Sequence, residues 1–345
     1  MKKGTPYGTH RVLEPQGVLP QGAWKIDNTM EIFDNEILID VSALNIDAAS
    51  FTQIKKEADG DEAKVADIVR GIVAQRGKHH NPVTGSGGML IGTVLEIGPA
   101  LADKIDLRVG DKIATLVSLS LTPLRIDQIK KIHLQKDQIE IDGKAVLFET
   151  GLYAKLPSDI PEKMALAILD VAGAPAQTAR LVQAGDTVVV IGGGGKSGTL
   201  CVYEAKKRAG STGCVIGVSP FEKDCERMKE LGWVDHTLQV DATNAVALMD
   251  AVAAVTKGKM ADVVINCVNI PHTEMGSILA TRERGKIYFF SMATSFTAAA
   301  LGAEGAGKDV EMIVGNGYAK DHADFSLALL RESAQLRRLF EEQYI

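Results

Sequence analysis

The sequence predicts an α/β protein with two domains, a β-rich domain followed by a doubly wound parallel sheet domain. Its length of 345 residues favours two domains and allows a large buried core. In the first 155 residues, segments of alternating apolar and polar side chains are separated by glycine-containing turns, which is typical of antiparallel strands. In the remainder, short apolar runs alternate with helical segments, which indicates a parallel sheet with right-handed crossovers.

The first predicted domain covers residues 1–155. Its clearest strand candidates are residues 36–41, 90–97 and 112–119. A charged helical segment from Lys55 to Arg76 interrupts the strands, and residues 120–145 show no clear hydrophobic period. Residues 157–161, Pro-Ser-Asp-Ile-Pro, are typical of a connector, and a helix is expected to begin near Glu162.

The second predicted domain covers residues 156–345. Its buried strand candidates are residues 188–191, 214–218, 261–266 and 286–290. The helices expected between them cover residues 198–209, 223–231 and 244–257. Residues 310–314 are expected to form an edge strand, and an exposed edge needs cover. Residues 325–343 have the apolar spacing of an amphipathic helix that packs on this domain.

Residues 187–198, Thr-Val-Val-Val-Ile-Gly-Gly-Gly-Gly-Lys-Ser-Gly, join a predicted strand to a predicted helix. Gly193, Gly195 and Gly198 fit the pattern G-x-G-x-x-G in that context. The first glycine allows a tight turn, the second lets a pyrophosphate approach the backbone, and the third lets the helix pack closely on the sheet. The free amides of the helix N-terminus would face the phosphates, so the segment indicates a dinucleotide-binding (Rossmann) fold.

Two other interpretations of this loop are weaker. Gly195-Lys196-Ser197 matches the end of a phosphate-binding P-loop, but Val190 stands where that loop needs its first glycine. A glycine-rich turn without a ligand would not explain the strands and helices that follow. The residues predicted to contact the dinucleotide are Gly193, Gly194, Gly195, Lys196, Ser197, Gly198, Ser219, Lys223 and Val268.

Composition and charge argue against several other classes of protein. The net charge of −6 argues against nucleic acid as the main partner, because that partner usually needs a basic face. The four cysteines are scattered without a C-x-x-C motif, which is typical of reduced thiols in a cytoplasmic protein. Residues 1–7 lack the apolar core of a signal peptide, and no run of about 18 apolar residues predicts a membrane helix.

Four segments resemble, in the same order, those of the medium-chain dehydrogenase/reductase superfamily. They are residues 92–98 (Gly-Thr-Val-Leu-Glu-Ile-Gly), 108–113 (Arg-Val-Gly-Asp-Lys-Ile), 153–157 (Tyr-Ala-Lys-Leu-Pro) and 184–190 (Ala-Gly-Asp-Thr-Val-Val-Val). The resemblance implies a GroES-like β-barrel as the first domain and a Rossmann domain as the second. It also implies a homodimer or homotetramer, because members usually pair through the edge strand of the nucleotide-binding sheet.

Within that superfamily, residues 3–15 and the overall layout resemble enzymes that oxidise an amine of a diamino acid. This resemblance implies oxidative deamination of a small diamino acid in lysine fermentation, with release of ammonia and reduction of NAD or NADP. Two alternatives remain open. One is a zinc-free reductase of alkenes or quinones with the same fold, and the other is a nucleotide-binding protein without catalysis.

The positions at which zinc-dependent members of the superfamily hold their metal carry other residues here. They fall near Asp47, at residues 87–89 (Gly-Gly-Met) and at Asp170 or Val171. Zinc favours imidazole and thiolate ligands, and this set contains neither. The sequence therefore predicts a zinc-free enzyme.

The second strand of the predicted nucleotide-binding sheet is followed by Ser219. NAD-binding Rossmann folds usually carry an acid at this position, which binds the ribose 2′-hydroxyl. A serine hydroxyl would not repel the 2′-phosphate of NADP, and Lys223 could bind that phosphate. These residues favour NADP or the use of both cofactors, although Lys223 could equally be an exposed helix lysine and Glu222 could reach a ribose.

Without zinc, side chains must take the proton from the substrate ammonium before hydride can leave. Asp47 is the first candidate because it occupies a metal-ligand position and could also attract a cation; a turn or capping aspartate is the alternative. His79 and His80 could relay protons near neutral pH, or belong to an exposed polar loop. Asp170 could bind the substrate ammonium or pair with a local partner.

Overall fold

The computed structural model describes residues 1–291, 293–315 and 317–345. These residues divide into two compact units, Met1–Asp159 and Ile160–Ile345. The first unit contains a six-stranded antiparallel sheet and the second a six-stranded parallel sheet, which confirms the predicted fold class. Every helix within the described residues is too short or too polar to cross a lipid bilayer.

The first unit contains mainly strands, with two helices inserted between them. Its strands are β1 (Val12–Glu14), β2 (Lys25–Ile26), β3 (Glu36–Ile46), β4 (Gly88–Ile97), β5 (Lys112–Thr115), β6 (Leu124–His133), β7 (Gln138–Phe148) and β8 (Tyr153–Lys155). The helices α1 (Ala48–Glu57) and α2 (Glu62–Arg76) follow β3. The main sheet has the order β6-β7-β3-β4-β5-β8, so β3 lies between its neighbours β4 and β7.

The core of the first unit forms between this sheet and the two helices. Ile39 and Leu44 of β3 belong to the same buried cluster as Phe51 of α1 and Val69 of α2. All four side chains are fully buried. Burial of such apolar side chains supplies most of the favourable free energy of folding, at about 2 kcal/mol for each.

One local prediction for the first unit was wrong, and one segment had no predicted structure. The single charged helix expected from Lys55 to Arg76 is two helices, because Asp59 and Gly60 take left-handed backbone angles and Asp61 caps α2. Residues 120–145, which show no period, contain β6 and much of β7. Most side chains of β6 are exposed or half-buried, so the strand has no apolar face for the sequence to reveal.

The second unit alternates strands and helices. Its strands are β9 (Thr187–Ile191), β10 (Cys214–Ser219), β11 (His236–Gln239), β12 (Ala261–Asn266), β13 (Thr281–Phe289) and β14 (Glu311–Val314). Its helices are α3 (Glu162–Leu169), α4 (Gly173–Leu181), α5 (Lys196–Ala209), α6 (Glu222–Leu231), α7 (Ala245–Thr256), α8 (Glu274–Ala280), α9 (Phe296–Ala306), α10 (His322–Glu332) and α11 (Ala334–Tyr344).

The parallel sheet has the strand order β11-β10-β9-β12-β13-β14. Its two central strands are adjacent, with Val189 of β9 opposite Val264 of β12. The order reverses between these strands, and doubly wound folds bind ligands at the carboxyl ends of strands beside such a reversal. The predicted edge strand at residues 310–314 corresponds to β14, which forms one edge of this sheet.

The predicted C-terminal helix, residues 325–343, is two helices. The chain leaves the helical conformation at Ser333, whose hydroxyl oxygen accepts a hydrogen bond from the amide of Leu336. Serine is a favoured N-cap because it satisfies an amide that has no partner inside the helix. The apolar spacing continues across this break, so the spacing alone does not reveal it.

Candidate functional site

The glycine-rich loop joins the end of β9 to the start of α5. Gly192 has a left-handed backbone with a φ of 79°, which turns the chain sharply after the strand. A Cβ on Gly198 would lie 1.9 Å from the carbonyl oxygen of Gly192, so the helix can approach the turn only without a side chain there. The loop thus has the strand-turn-helix geometry that the G-x-G-x-x-G pattern requires.

The loop leaves room for a phosphate at the start of α5. A Cβ on Gly195 would meet only the carbonyl oxygen of Gly192, at 3.4 Å. Gly195 is the N-cap of α5, and amides of the first helical turn, such as those of Lys196 and Ser197, have no carbonyl partner within the helix. These amides and the positive end of the helix dipole suit an anion, so the loop fits the pyrophosphate of a dinucleotide.

A shallow cleft lies at the carboxyl ends of β9 and β10. Its walls are mainly apolar and include Val218, Ala242 and Ile270, which suits an adenine ring. Ser219 and Val268, two of the predicted cofactor contacts, also line it. Lys223, a third, is exposed on α6, and its side chain is not part of this lining.

The hydroxyl of Ser219 is bonded to a carboxylate that the sequence analysis did not single out. Ser219 Oγ donates to Oδ2 of Asp224 on α6 at 2.8 Å. The Arg227 guanidinium donates to Oδ1 of Asp224 at 3.0 Å and to the carbonyl oxygen of Gly194. Residues three apart on a helix share a face, so the spacing of Asp224 and Arg227 could have predicted an ion pair between them.

Asp170, a predicted catalytic residue, forms an ion pair with Lys196 of the glycine-rich loop. Lys196 Nζ lies 2.5 Å from Oδ2 of Asp170, which follows the last residue of α3. Tyr344 of α11 lies close to the same pair. Burial raises the pKa of Tyr344, and the charges of Lys196, Asp170 and Arg227 also act on it. The end of α11 therefore lies near the glycine-rich loop, which the sequence analysis did not anticipate.

Asp47 follows β3 in the first unit and serves as the N-cap of α1. One carboxylate oxygen, Oδ1, accepts a hydrogen bond from the amide of Ser50 at 3.0 Å. The other, Oδ2, is buried and has no hydrogen bond to any described residue. Asp47 is therefore a capping aspartate, as one of the two alternatives expected, but only Oδ1 takes part in the cap. A buried acceptor without a partner is costly, which makes this oxygen a candidate for binding a ligand.

His79 lies within electrostatic reach of Asp47. Its side chain is fully buried, and neither ring nitrogen has a hydrogen bond of normal geometry to a described residue. Burial lowers the pKa of His79 to about 4, although Asp47 and the backbone of Gly87 act in the opposite direction. At neutral pH the ring is therefore uncharged, with one nitrogen able to donate and the other able to accept.

His80 differs from its neighbour because it is only partly buried. Burial, followed by the charges of Lys78 and Arg76, lowers its pKa to about 4. Its Nδ1 is buried without a hydrogen bond to the described residues. The alternative in which both histidines belong to an exposed polar loop is wrong for His79, because its side chain has no exposed surface.

Arg76 and Lys78 are the nearest cations in sequence to the histidines and would be candidates for binding a substrate carboxylate. Lys78 is fully buried, and its Nζ donates to the carbonyl oxygen of Pro20 at 2.5 Å. Arg76 donates to the carbonyl oxygen of Trp24 at 3.1 Å and stacks on its indole ring. Arg76 also donates to the carbonyl oxygen of His80, so both side chains are bonded to backbone carbonyls rather than fully solvated.

No group of three or more histidine, cysteine, aspartate or glutamate side chains is placed to hold a metal ion within residues 1–291, 293–315 and 317–345. The charge of Asp47 acts on His79, but the barrel position equivalent to a second ligand is occupied by Gly88. The absence of zinc stays a prediction that a chelator can test.

Two of the cysteines that look scattered in the sequence are neighbours in the second unit. The sulfur of Cys201 on α5 lies 3.7 Å from that of Cys267, which follows β12. Both remain free thiols. Burial raises the pKa of the Cys201 thiol, so it is protonated at neutral pH.

The sequence is similar to two curated relatives along its full length. It is 60% identical over 343 residues to the L-erythro-3,5-diaminohexanoate dehydrogenase of Acetoanaerobium sticklandii, covering 99% of this chain and 100% of that relative. It is also 60% identical over 345 residues to the enzyme of the same name from Fusobacterium nucleatum, covering 100% of both chains. The chain belongs to the L-erythro-3,5-diaminohexanoate dehydrogenase family.

Family models match both halves of this diaminohexanoate dehydrogenase family member. The N-terminal domain of L-erythro-3,5-diaminohexanoate dehydrogenase matches residues 10–157, and the domain described as zinc-binding dehydrogenase matches residues 198–306. A mycobacterial protein solved in complex with NADPH has a TM-score of 0.56 and 16% identity, covering 89% of this chain and 83% of that one. That likeness shows the fold, and the predicted superfamily membership is confirmed.

Membership in the diaminohexanoate dehydrogenase family makes the chain an oxidoreductase. The glycine-rich loop and the cleft at the carboxyl ends of β9 and β10 suit the nicotinamide cofactor of such an enzyme. The substrate of a dehydrogenase is a small molecule, which agrees with the prediction from the resemblance.

Proposed function

We propose that the enzyme oxidises L-erythro-3,5-diaminohexanoate at carbon 3, giving 5-amino-3-oxohexanoate and ammonia in lysine fermentation. The observation that carries this proposal is the 60% identity, over the full length, to two dehydrogenases with that name. The substrate ammonium, oxidised dinucleotide and water give the ketone, an ammonium ion, reduced dinucleotide and one proton. The nicotinamide supplies the hydride acceptor, and the chain must supply binding and proton transfer.

Asp47 is the proposed general base. Only an amine with a free lone pair can release hydride from its carbon, so a proton must first leave the substrate ammonium. The unpartnered Oδ2 of Asp47 can accept that proton and can hold the cation before the transfer. The Ser50 amide bonded to Oδ1 fixes the orientation of the carboxylate.

His79 is proposed as a partner that relays protons from Asp47. It is uncharged at neutral pH because burial lowers its pKa to about 4. A neutral imidazole can accept a proton at one nitrogen and donate one from the other, which a relay needs. His80, with Nδ1 also unpartnered, is proposed as the next group toward solvent.

The glycine-rich loop is the proposed site of the nicotinamide dinucleotide. The amides of Lys196, Ser197 and Gly198 would bind the pyrophosphate, while Val268 would border the cofactor beside Gly192. The ammonium of Lys196 is held by Asp170, and that pair places a cation at the start of α5. Considered alone, Ser219 and the exposed Lys223 would allow either NAD or NADP to bind.

We also propose that two copies pair through the outer edge of β14, in a cytoplasmic homodimer or homotetramer. Among the described strands, β14 pairs only with β13, so its other edge is unpaired. Val314 on this strand is exposed, as are Phe296 and Leu301 of α9. An unpaired edge with apolar neighbours needs cover, and a second copy of the chain provides a matching edge.

The proposed reaction is tested by measuring ammonia and reduced dinucleotide together. We expect purified enzyme with L-erythro-3,5-diaminohexanoate to form them in equal amounts, and a zinc chelator to leave the rate unchanged. NAD and NADP are compared in parallel reactions. Reduction of a quinone or alkene by NADPH without amine oxidation would contradict the proposal, as would the absence of turnover in protein that binds the cofactor.

A further inference from the structure

We propose that Asp224 makes this enzyme select NAD over NADP. The inference rests on the proposed function, because it concerns the adenosine half of the same cofactor site. Asp224 lies on α6, five positions after Ser219, where the sequence alone suggests an exposed helix residue. The structure instead places its carboxylate between the end of β10 and the glycine-rich loop.

The first observation is the hydrogen bond of Ser219. Its hydroxyl donates to Oδ2 of Asp224 at 2.8 Å, so its single proton is already used. In this arrangement Ser219 can accept a hydrogen bond from a ribose hydroxyl but cannot donate one to a phosphate. Ser219, which alone would tolerate a 2′-phosphate, therefore links the ribose position to the carboxylate of Asp224.

The second observation is the contact between Asp224 and the loop. A Cβ on Gly194 would lie 2.4 Å from the carboxyl carbon of Asp224, so the carboxylate packs directly against the loop backbone. Arg227 reinforces this position by donating to Oδ1 of Asp224 and to the Gly194 carbonyl oxygen. The ribose that joins adenine to the pyrophosphate must pass between Ser219 and this loop, so Asp224 lies beside the ribose.

The charges around this position favour a hydroxyl over a phosphate. The carboxylate of Asp224 can accept a hydrogen bond from the 2′-hydroxyl of NAD, directly or through Ser219. A 2′-phosphate would bring further negative charge within a few ångströms of it, which is repulsive even at the surface. Arg227 is ion-paired with Asp224 and weakens this repulsion, so the preference depends mainly on the hydrogen bond that the carboxylate accepts from the 2′-hydroxyl.

The experiment measures binding rather than turnover. Dissociation constants of NADH and NADPH are determined by fluorescence titration for the wild type and for Asp224→Asn, which keeps the size of the side chain. We expect the wild type to bind NADH about tenfold or more tightly than NADPH. In the variant, NADPH binding should strengthen about tenfold while NADH binding changes only a few-fold.

Two further variants make the result specific. Glu226→Gln removes the same charge from an exposed position two residues along α6, and it should leave the NADH to NADPH ratio unchanged. Ser219→Ala removes the hydroxyl but keeps the carboxylate, so it should still prefer NADH. Calorimetric titration with AMP and adenosine 2′,5′-bisphosphate repeats the comparison on the adenosine half alone.

An unchanged ratio in Asp224→Asn would overturn the inference, as would a wild type that prefers NADPH. If Asp224→Asn does not fold, loss of the NADH preference in Ser219→Ala would overturn it. Selective binding that Asp224 does not control would leave the proposed reaction intact. A wild type that binds neither dinucleotide would contradict the proposed function itself.

Discussion

Asp47 uses its two carboxylate oxygens differently. Oδ1 begins α1 by accepting the Ser50 amide, and Oδ2 is buried without a hydrogen bond to the described residues. Asp61 also caps a helix, α2, and accepts hydrogen bonds from two amides. Asp47 differs from it because one of its carboxylate oxygens is buried and unpaired. Because both aspartates cap helices, substituting each of them separates an effect on catalysis from an effect on capping.

Replacing Asp47 by Asn should therefore remove activity but keep the fold. Asparagine caps helices as well as aspartate, so the melting temperature should change little. Loss of the base should lower kcat by about 100-fold or more for amine oxidation. Asp61→Asn is the matched control, and its kcat should stay within about twofold of the wild type. Equal kcat values for the two variants would rule out Asp47 as the base.

His79 should make the stability of the protein fall with acid. The folded protein does not protonate this ring until about pH 4, whereas an unfolded chain does so near its ordinary pKa of 6.5. The unfolded state therefore binds more protons between these values, and stability is lost as pH falls through them. The loss from this residue should be on the order of 3 kcal/mol.

Thermal melts of wild type and His79→Gln between pH 7 and pH 4 test this expectation. The variant cannot take up that proton, so its melting temperature should fall less steeply across the same range. Parallel curves for the two proteins would show that the ring is not protected from protonation in the folded state.

At the scale of elements, the N-terminal segment is attached to the start of β3 by a buried ion pair. Burial would raise the pKa of Glu36, but hydrogen bonds from Arg11, His10 and the Phe33 backbone lower it to about 2. Arg11 Nη2 lies 2.6 Å from Oε2 of Glu36, and both side chains are fully buried. The guanidinium also donates to backbone carbonyls of Thr29 and Glu31.

Glu36→Gln should destabilise the protein by about 3 to 5 kcal/mol, because it leaves the Arg11 charge buried without its partner. Urea unfolding measures this difference. Asp142→Asn is the control, since it removes an exposed ion pair with Lys130 and should cost less than about 1 kcal/mol. A loss in Glu36→Gln no larger than in the control would show that Arg11 finds another partner.

Elements whose side chains are buried on both faces were predictable from the sequence. The predicted bounds of β9, β10 and β12 agree with the structure to within one or two residues. Each is a continuous apolar run flanked by glycine or polar turns, and such a run indicates a buried strand. β6 was missed because few of its side chains are buried. The breaks before Asp61 and at Ser333 depend on turn and capping geometry, which hydrophobic spacing does not report.

The candidate site was predictable where it is local in the chain. The glycine-rich loop needs only neighbouring residues to take its shape. Asp224, Arg227 and Tyr344 were missed because their roles depend on how α6 and α11 pack against that loop, and charged or aromatic residues on a helix look like an ordinary surface. Long-range packing, rather than any local pattern, places them there.

At the scale of the whole molecule, assembly should depend on the unpaired edge of β14. Val314→Lys places a charge on that edge, and lysine on an edge strand prevents pairing with another strand. We expect light scattering to show a dimer or tetramer for the wild type and a smaller species for the variant. Val246→Lys, at an exposed site on α7, should assemble like the wild type. A monomeric wild type would refute the pairing.

The hydrogen bond between Ser219 and Asp224 has a consequence for the direction of metabolism. By mass action, a mainly oxidised NAD pool favours the ketone, whereas a mainly reduced NADP pool favours the amine. If Asp224 selects NAD as proposed, the enzyme is suited to degrading its substrate rather than to forming it.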